Sequence, residues 1–177
     1  MPQVDMPQAD FERVHFEDLV ESFRRSVELV GGHVVEFAEV GDINTLLATP
    51  QLATGCVVSN IEGVTADINP DMAVDSHELG GRYTAVVRAH LGVAENGAVW
   101  VPQQMRHKAP LFAAEQLVVL LDRTALVATM QDAVADERFG GDFVHGCFVS
   151  GPSKTADIEQ ALVIGAHGAM GLTVVLV

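Results

Sequence analysis

Five apolar residues in a row, Leu117-Val-Val-Leu-Leu121, constrain this chain more than any other feature. A strand with one wet face alternates polar and apolar side chains, so a run with no polar face must be covered on both sides. Five residues suit a strand and fall far short of a membrane span. Related runs occur at Thr84–Arg88, Ala98–Pro102, Phe143–Val149 and Leu172–Val177, with shorter ones at His33–Phe37 and Thr54–Ser59. Helical patterns separate several of them. From Asp10, a candidate N-cap, Phe16, Leu19, Val20, Phe23, Val27 and Val30 recur at helical spacing until Gly31-Gly32 ends the run. Asp42 can cap a short helix through Leu47, and Asp122 to Asp136 reads as a helix with Leu126, Val127, Met130, Ala133 and Val134 on one side.

Strands alternating with helices predict an α/β fold, a single domain whose mainly parallel sheet is flanked by helices. Residues 1–9 carry two prolines and no periodicity and read as a loose tail, which leaves 10–177 as the domain. Ala89–Gly97 reads as a loop, and the acidic stretch Glu62–Gly81, with Asp67, Asp71, Asp75 and Glu78, as a surface excursion. A chain of 177 residues suits one such domain.

Charge removes whole classes of partner. With 24 acidic residues against 10 basic, the formal net charge is −14, which disfavours a nucleic-acid backbone and an anionic membrane surface. The first residues show neither a basic flank nor an apolar stretch, so no signal peptide is expected and a cytoplasmic location is the default. Cys56 and Cys147 each sit inside an apolar run without a Cys-x-x-Cys partner and read as core thiols. No cluster or other cofactor bound by this chain alone is therefore expected. The histidines lack His-x-x-x-His spacing, and no metal site is expected.

Two segments carry candidate chemistry. Ser150-Gly-Pro-Ser-Lys-Thr-Ala-Asp-Ile-Glu159 follows an apolar run and gathers Gly151, the hydroxyls of Ser153 and Thr155, the cation Lys154 and the acids Asp157 and Glu159. Such a segment suits a small anion held by backbone N–H groups, and equally suits plain helix capping by Ser153 or Thr155. It is not a nucleoside-triphosphate loop, because Pro152-Ser153 intervenes between Gly151 and Lys154-Thr155. His167 and Gly168 follow within Ile164-Gly-Ala-His-Gly168, where glycines let a ligand approach. Gly165, Gly168 and Gly171 lack the Gly-x-Gly pair of a dinucleotide fingerprint. The second segment is Ala94-Glu-Asn-Gly97, whose Asn-Gly marks a turn between strands. Its Glu95 is either a solvated turn residue or, at the mouth of the sheet, a candidate nucleophile or general base.

Taken together, these residues resemble the LUD-domain family, to which lactate utilisation protein C belongs. Gly151-Pro-Ser-Lys-Thr-Ala-Asp-Ile-Glu159 follows the family's Gly-Pro-Ser-Arg-Thr-Ala-Asp-Ile-Glu, with Lys154 for arginine. Gly165-Ala-His-Gly-Ala169 follows Gly-Val-His-Gly-Pro, Ala94-Glu-Asn-Gly-Ala98 resembles Ala-Glu-Thr-Gly-Thr, and Leu29-Val-Gly-Gly-His-Val-Val35 is similar to the family's first helix-to-strand passage. Lysine at 154 keeps the charge but loses the planar fork of arginine. Relative to the family the chain is expected to be short at its N-terminus.

The resemblance implies a NagB/RpiA/CoA-transferase-like fold. It implies a component of an L-lactate utilisation system that oxidises lactate to pyruvate, as a non-cluster subunit binding a small carboxylate or a partner protein. Its partners would be the iron–sulfur subunits of that complex. Two alternatives are a stand-alone acyl or CoA transferase using Glu95, which also resembles the Ser-Glu-Asn-Gly loop of family I CoA transferases, and a purely scaffolding subunit.

Overall fold

The computed structural model describes residues 14–53, 55–73, 75, 79, 82–140, 145–155 and 162–177. Five strands form the main sheet: β1 (His33–Glu36), β2 (Cys56–Val58), β3 (Tyr83–Arg88), β6 (Gln116–Leu121) and β11 (Gly171–Leu176). They lie in the order β1-β11-β6-β3-β2, and every neighbouring pair is parallel. The apolar run thus falls on the central strand, β6, with Leu117 to Leu121 all buried.

The two faces of β6 explain why that strand is apolar throughout. Val118 and Leu120 pack with Val86, Val175 and the short helix α2 (Ile43–Leu47). Leu117, Val119 and Leu121 pack on the other side with Ala85, Val87, Val174 and with Phe23 and Val27 of helix α1 (Leu19–Leu29). That second face is also covered by a further sheet, which the sequence patterns do not reveal. Here β4 (Leu91–Val93) lies between β7 (Leu126–Val127), to which it is parallel, and β5 (Ala98–Pro102), to which it is antiparallel; β8 (Gly146–Val149) pairs antiparallel with β5. The outer side of this sheet buries Leu91, Val93 and Trp100 under α4 (Met130–Ala135), with Phe139 of α5 (Glu137–Gly140) against the Trp100 ring at 4.6 Å.

Several expectations change. The first described helix starts at Leu19, because extended Asp18 caps it by accepting a hydrogen bond from the Glu21 N–H at 3.0 Å; Asp10 lies outside the described residues. Asp122–Asp136 is not one helix. The Asp122 carboxylate accepts from Thr124 N at 2.8 Å and sets a tight turn, Leu126–Val127 then pairs with β4, and only the Thr129 capping box starts α4. The supposed loop 89–97 contains β4, and the run ending at Val149 joins the second sheet, with residues 143 and 144 outside the described residues. The acidic stretch after Glu62 is tied to the sheet edge: Asp67 accepts from Val57 N at 2.7 Å, and Ala73 and Leu79 are buried. Among the described residues no helix is long and apolar enough to cross a membrane.

Candidate functional site

The segment after β8 folds back on the C-terminal end of α1. Gly151 has φ +71°, and a methyl group there would lie 2.6 Å from the Val30 carbonyl oxygen, so only glycine suits this close approach. Ser153 donates its N–H to Ala169 O and accepts from Gly165 N, both at 2.9 Å. Gly168 lies against it, a Cβ there being 3.1 Å from the Ser153 Cβ. Lys154 and Thr155 form β9, which pairs antiparallel with β10 (Val163–Ile164). The two stretches singled out in the sequence, 150–155 and 164–168, are thus one structural unit.

The Glu95 turn belongs to the same neighbourhood. Ser150 Oγ donates to Asn96 O at 2.9 Å, and Ser26 Oγ on α1 donates to Ala94 O at 2.7 Å. Gly97 turns with φ +68° directly against the Val27 backbone. Glu95 is exposed at the tip of the β4–β5 hairpin; its N–H donates to Ala128 O at 3.0 Å, while its carboxylate has no hydrogen bond or ion pair among the described residues. It sits on the second sheet and not at an end of a main-sheet strand, because β4 and β5 have left the parallel ladder.

Charge is arranged differently from the expectation of an anion cradle. The Lys154 ammonium donates to Val30 O, so it serves the last carbonyls of α1, where a cation meets the negative end of the helix dipole. The Ser153 N–H is likewise occupied. Beside the loop lies a cavity of about 250 Å³ lined by Ser150, Gly151, Ser153 and Gly168 together with Phe148 and Leu172; no charged residue lines it among the described residues. Cys147 also lines it, and burial pushes that thiol upward, away from the reactive thiolate. His167 is exposed and Thr155 half-buried. Asp157 and Glu159, with the helix start expected around them, lie outside the described residues. Gly31 and Ala169 precede β1 and β11, so the loop occupies the amino-terminal edge of the main sheet. Among the described residues no group of three or more His, Cys, Asp or Glu side chains is placed to hold a metal ion.

The family model for the LUD domain matches residues 83–177, from β3 through β11. The chain belongs to the LUD-domain family. Of the elements described above, α1, β1, α2 and β2 precede that match. Among curated proteins, this LUD-domain chain is similar to Lactate utilization protein C of Geobacillus kaustophilus, 26% identical over 187 residues that cover 99% of this chain and 75% of the relative. It is also similar to the protein of that name from Oceanobacillus iheyensis, 28% identical over 93 residues, or 48% of this chain and 39% of the relative. A crystal structure of a DUF162 family protein from Deinococcus radiodurans shares the fold with TM-score 0.61 at 14% identity, covering 89% of this chain and 95% of that one.

Sequence reasoning missed a second group of polar residues. Arg88, His107, Lys108 and His145 come from three separate stretches and line one pocket at the opposite, carboxyl-terminal end of β3. No short motif signals it, since the stretches meet only when β3, β5, β8 and α3 (Ala109–Phe112) pack together.

Proposed function

We propose that this LUD-domain chain is a component of an L-lactate utilisation system that oxidises lactate to pyruvate. It acts in the cytoplasm as a non-cluster subunit that binds a small carboxylate or a partner protein. The observation that carries this reading is the alignment with Lactate utilization protein C over 99% of the chain. The gathering of Gly151, Ser153, Lys154 and Gly168 with the Glu95 turn at one end of α1 supports a single contact surface, beside which Thr155 and His167 stand in sequence; Asp157 and Glu159 are further candidates outside the described residues. Electrons leaving lactate must reach an acceptor, and iron–sulfur subunits of the same complex fill that role, while this chain carries no cofactor alone.

Deletion of the gene tests the reading. Growth on L-lactate and lactate-dependent reduction of an artificial acceptor by extracts are expected to fail and to return with the intact gene. Normal growth and normal lactate oxidation would refute it. Affinity purification of the tagged chain is expected to bring iron-containing partners, with no iron in the isolated chain.

One observation favours a second reading: Glu95 is an exposed carboxylate without a partner among the described residues, on a turn pinned from both sides. That placement suits attack on an acyl-CoA. A hydroxylamine-sensitive adduct at Glu95 would support transferase chemistry, and its absence across a panel of acyl-CoAs would end that reading.

A further inference from the structure

β3 ends in Arg88, and there the chain leaves the main sheet for the second one. Around this exit lie Gln103, just past β5, His107 and Lys108, leading into α3, and His145, leading into β8. Val87, Val101 and Leu111 supply apolar walls. Concave, mostly apolar surroundings with a few convergent polar groups are the usual form of a small-molecule site. The carboxyl end of a parallel strand is also where ligands of open α/β sheets bind.

The charge of the pocket runs against the charge of the chain. The protein has 24 acidic residues and 10 basic ones, yet among the described residues no aspartate or glutamate lines this pocket, whereas Arg88 and Lys108 both do. Neither cation has an ion pair among the described residues; the arginines that do are Arg24, Arg82, Arg123 and Arg138. Asp122 feels the field of Arg88, but its carboxylate already accepts from the Thr124 hydroxyl at 2.6 Å and the Thr124 N–H at 2.8 Å. The His90 imidazole is held below its ordinary range by burial first and then by Arg88 and Arg138. His107 is held in place, its Nε2 donating to Ala73 O at 3.0 Å.

Size limits the occupant. The cavity is small, about 30 Å³, and opens to solvent on one side. It takes a single charged head and not a polyphosphate. Leu111 and Phe112 line both this pocket and the cavity of about 250 Å³ beside the 150–153 loop, which offers apolar surface to a substituent.

We propose that this pocket binds the carboxylate of a small monocarboxylic acid, its head among Arg88, Lys108, His107 and His145 and its short apolar substituent against Leu111. The ligand class rests on the lactate reading above; the pocket and its charge do not. Calorimetric titration of the purified full chain at low salt tests it, using L-lactate, acetate, inorganic phosphate and the neutral amide lactamide. L-lactate and acetate are expected to bind and lactamide not to. Arg88→Gln and Lys108→Gln each weaken the carboxylates about tenfold, the scale of one charge-assisted hydrogen bond, while Arg25→Gln on exposed α1 surface changes nothing.

No carboxylate binding by the wild-type chain would overturn the proposal. So would binding that survives both Arg88→Gln and Lys108→Gln, binding lost only in Lys154→Gln, or phosphate held more tightly than lactate. Lys108 is exposed, so Lys108→Gln carries the test if circular dichroism shows Arg88→Gln unfolded. Lactate binding here with normal growth of the deletion strain would remove the metabolic reading and keep the pocket. Failed growth without binding would remove the pocket alone.

Discussion

At Gly97 a methyl group would lie 2.6 Å from the Val27 nitrogen, with φ at +68°. Gly97→Ala therefore combines a left-handed backbone that disfavours a side chain with an overlap against backbone that has no free rotation to relieve it. A loss of about 2–4 kcal/mol in urea unfolding is expected; a variant as stable as wild type would mean that α1 does not press on this turn. Tyr83, the only tyrosine, gives a second test at this scale. Its phenol donates to Ala109 O at 2.9 Å, and burial raises its pKa to about 12. Since the unfolded value is about 10, the stability that neutral Tyr83 contributes is complete below about pH 10 and lost as pH climbs towards 12, by about 2 kcal/mol. Tyrosinate absorbance should then show a single late transition that coincides with unfolding; ionisation near pH 10 in the folded chain would contradict it. Single residues were legible where the partner is local, as in the Asn96-Gly97 turn. Lys154 was not, because its carbonyl partner, Val30, is 124 positions away.

At the scale of elements, local capping outweighed hydrophobic periodicity. Leu126, Val127, Met130, Ala133 and Val134 fit one helical face, yet Thr129 interrupts it. Its hydroxyl accepts from Asp132 N at 3.2 Å while the Asp132 carboxylate accepts from Thr129 N at 3.1 Å. A capping box fixes a helix start, and residues before it are free to pair with β4. Thr129→Ala is expected to cost about 1 kcal/mol, seen in thermal melts, and Thr129→Ser to recover most of it. The helix α1, the strands β1, β3, β6 and β11 and the hairpin turn were readable because each declares itself within a dozen residues. β4 was not: three residues including Gly92 make too short a pattern, and a methyl on Gly92 would collide with Leu121 and Leu126, so that glycine answers to packing and not to local structure.

For the whole molecule, the central strand binds two cores into one. Leu120 faces the α2 side and Leu121 the second sheet, and both are fully buried. Leu120→Ala and Leu121→Ala should each remove about 2–5 kcal/mol from one shared transition. Two separate transitions would argue against residues 10–177 unfolding as one domain, which we hold as a proposal. A parallel sheet was legible in the unbroken apolarity of Leu117–Leu121, but its order was not, since register and neighbour choice arise between strands distant in sequence. The pocket at Arg88 was hidden for the same reason.

Among the described residues β1 pairs only with β11, far along the chain, with His33 opposite Thr173. During synthesis, residues 33–36 have no ladder to join until residues 171–176 have left the ribosome. The α1–β1 passage must therefore wait, with its edge unpaired, until β11 has been made. Closing this edge of the sheet thus depends on a strand made long after β1, and a nascent chain stalled before Gly171 is expected to be protease-sensitive at β1 and a client for chaperones.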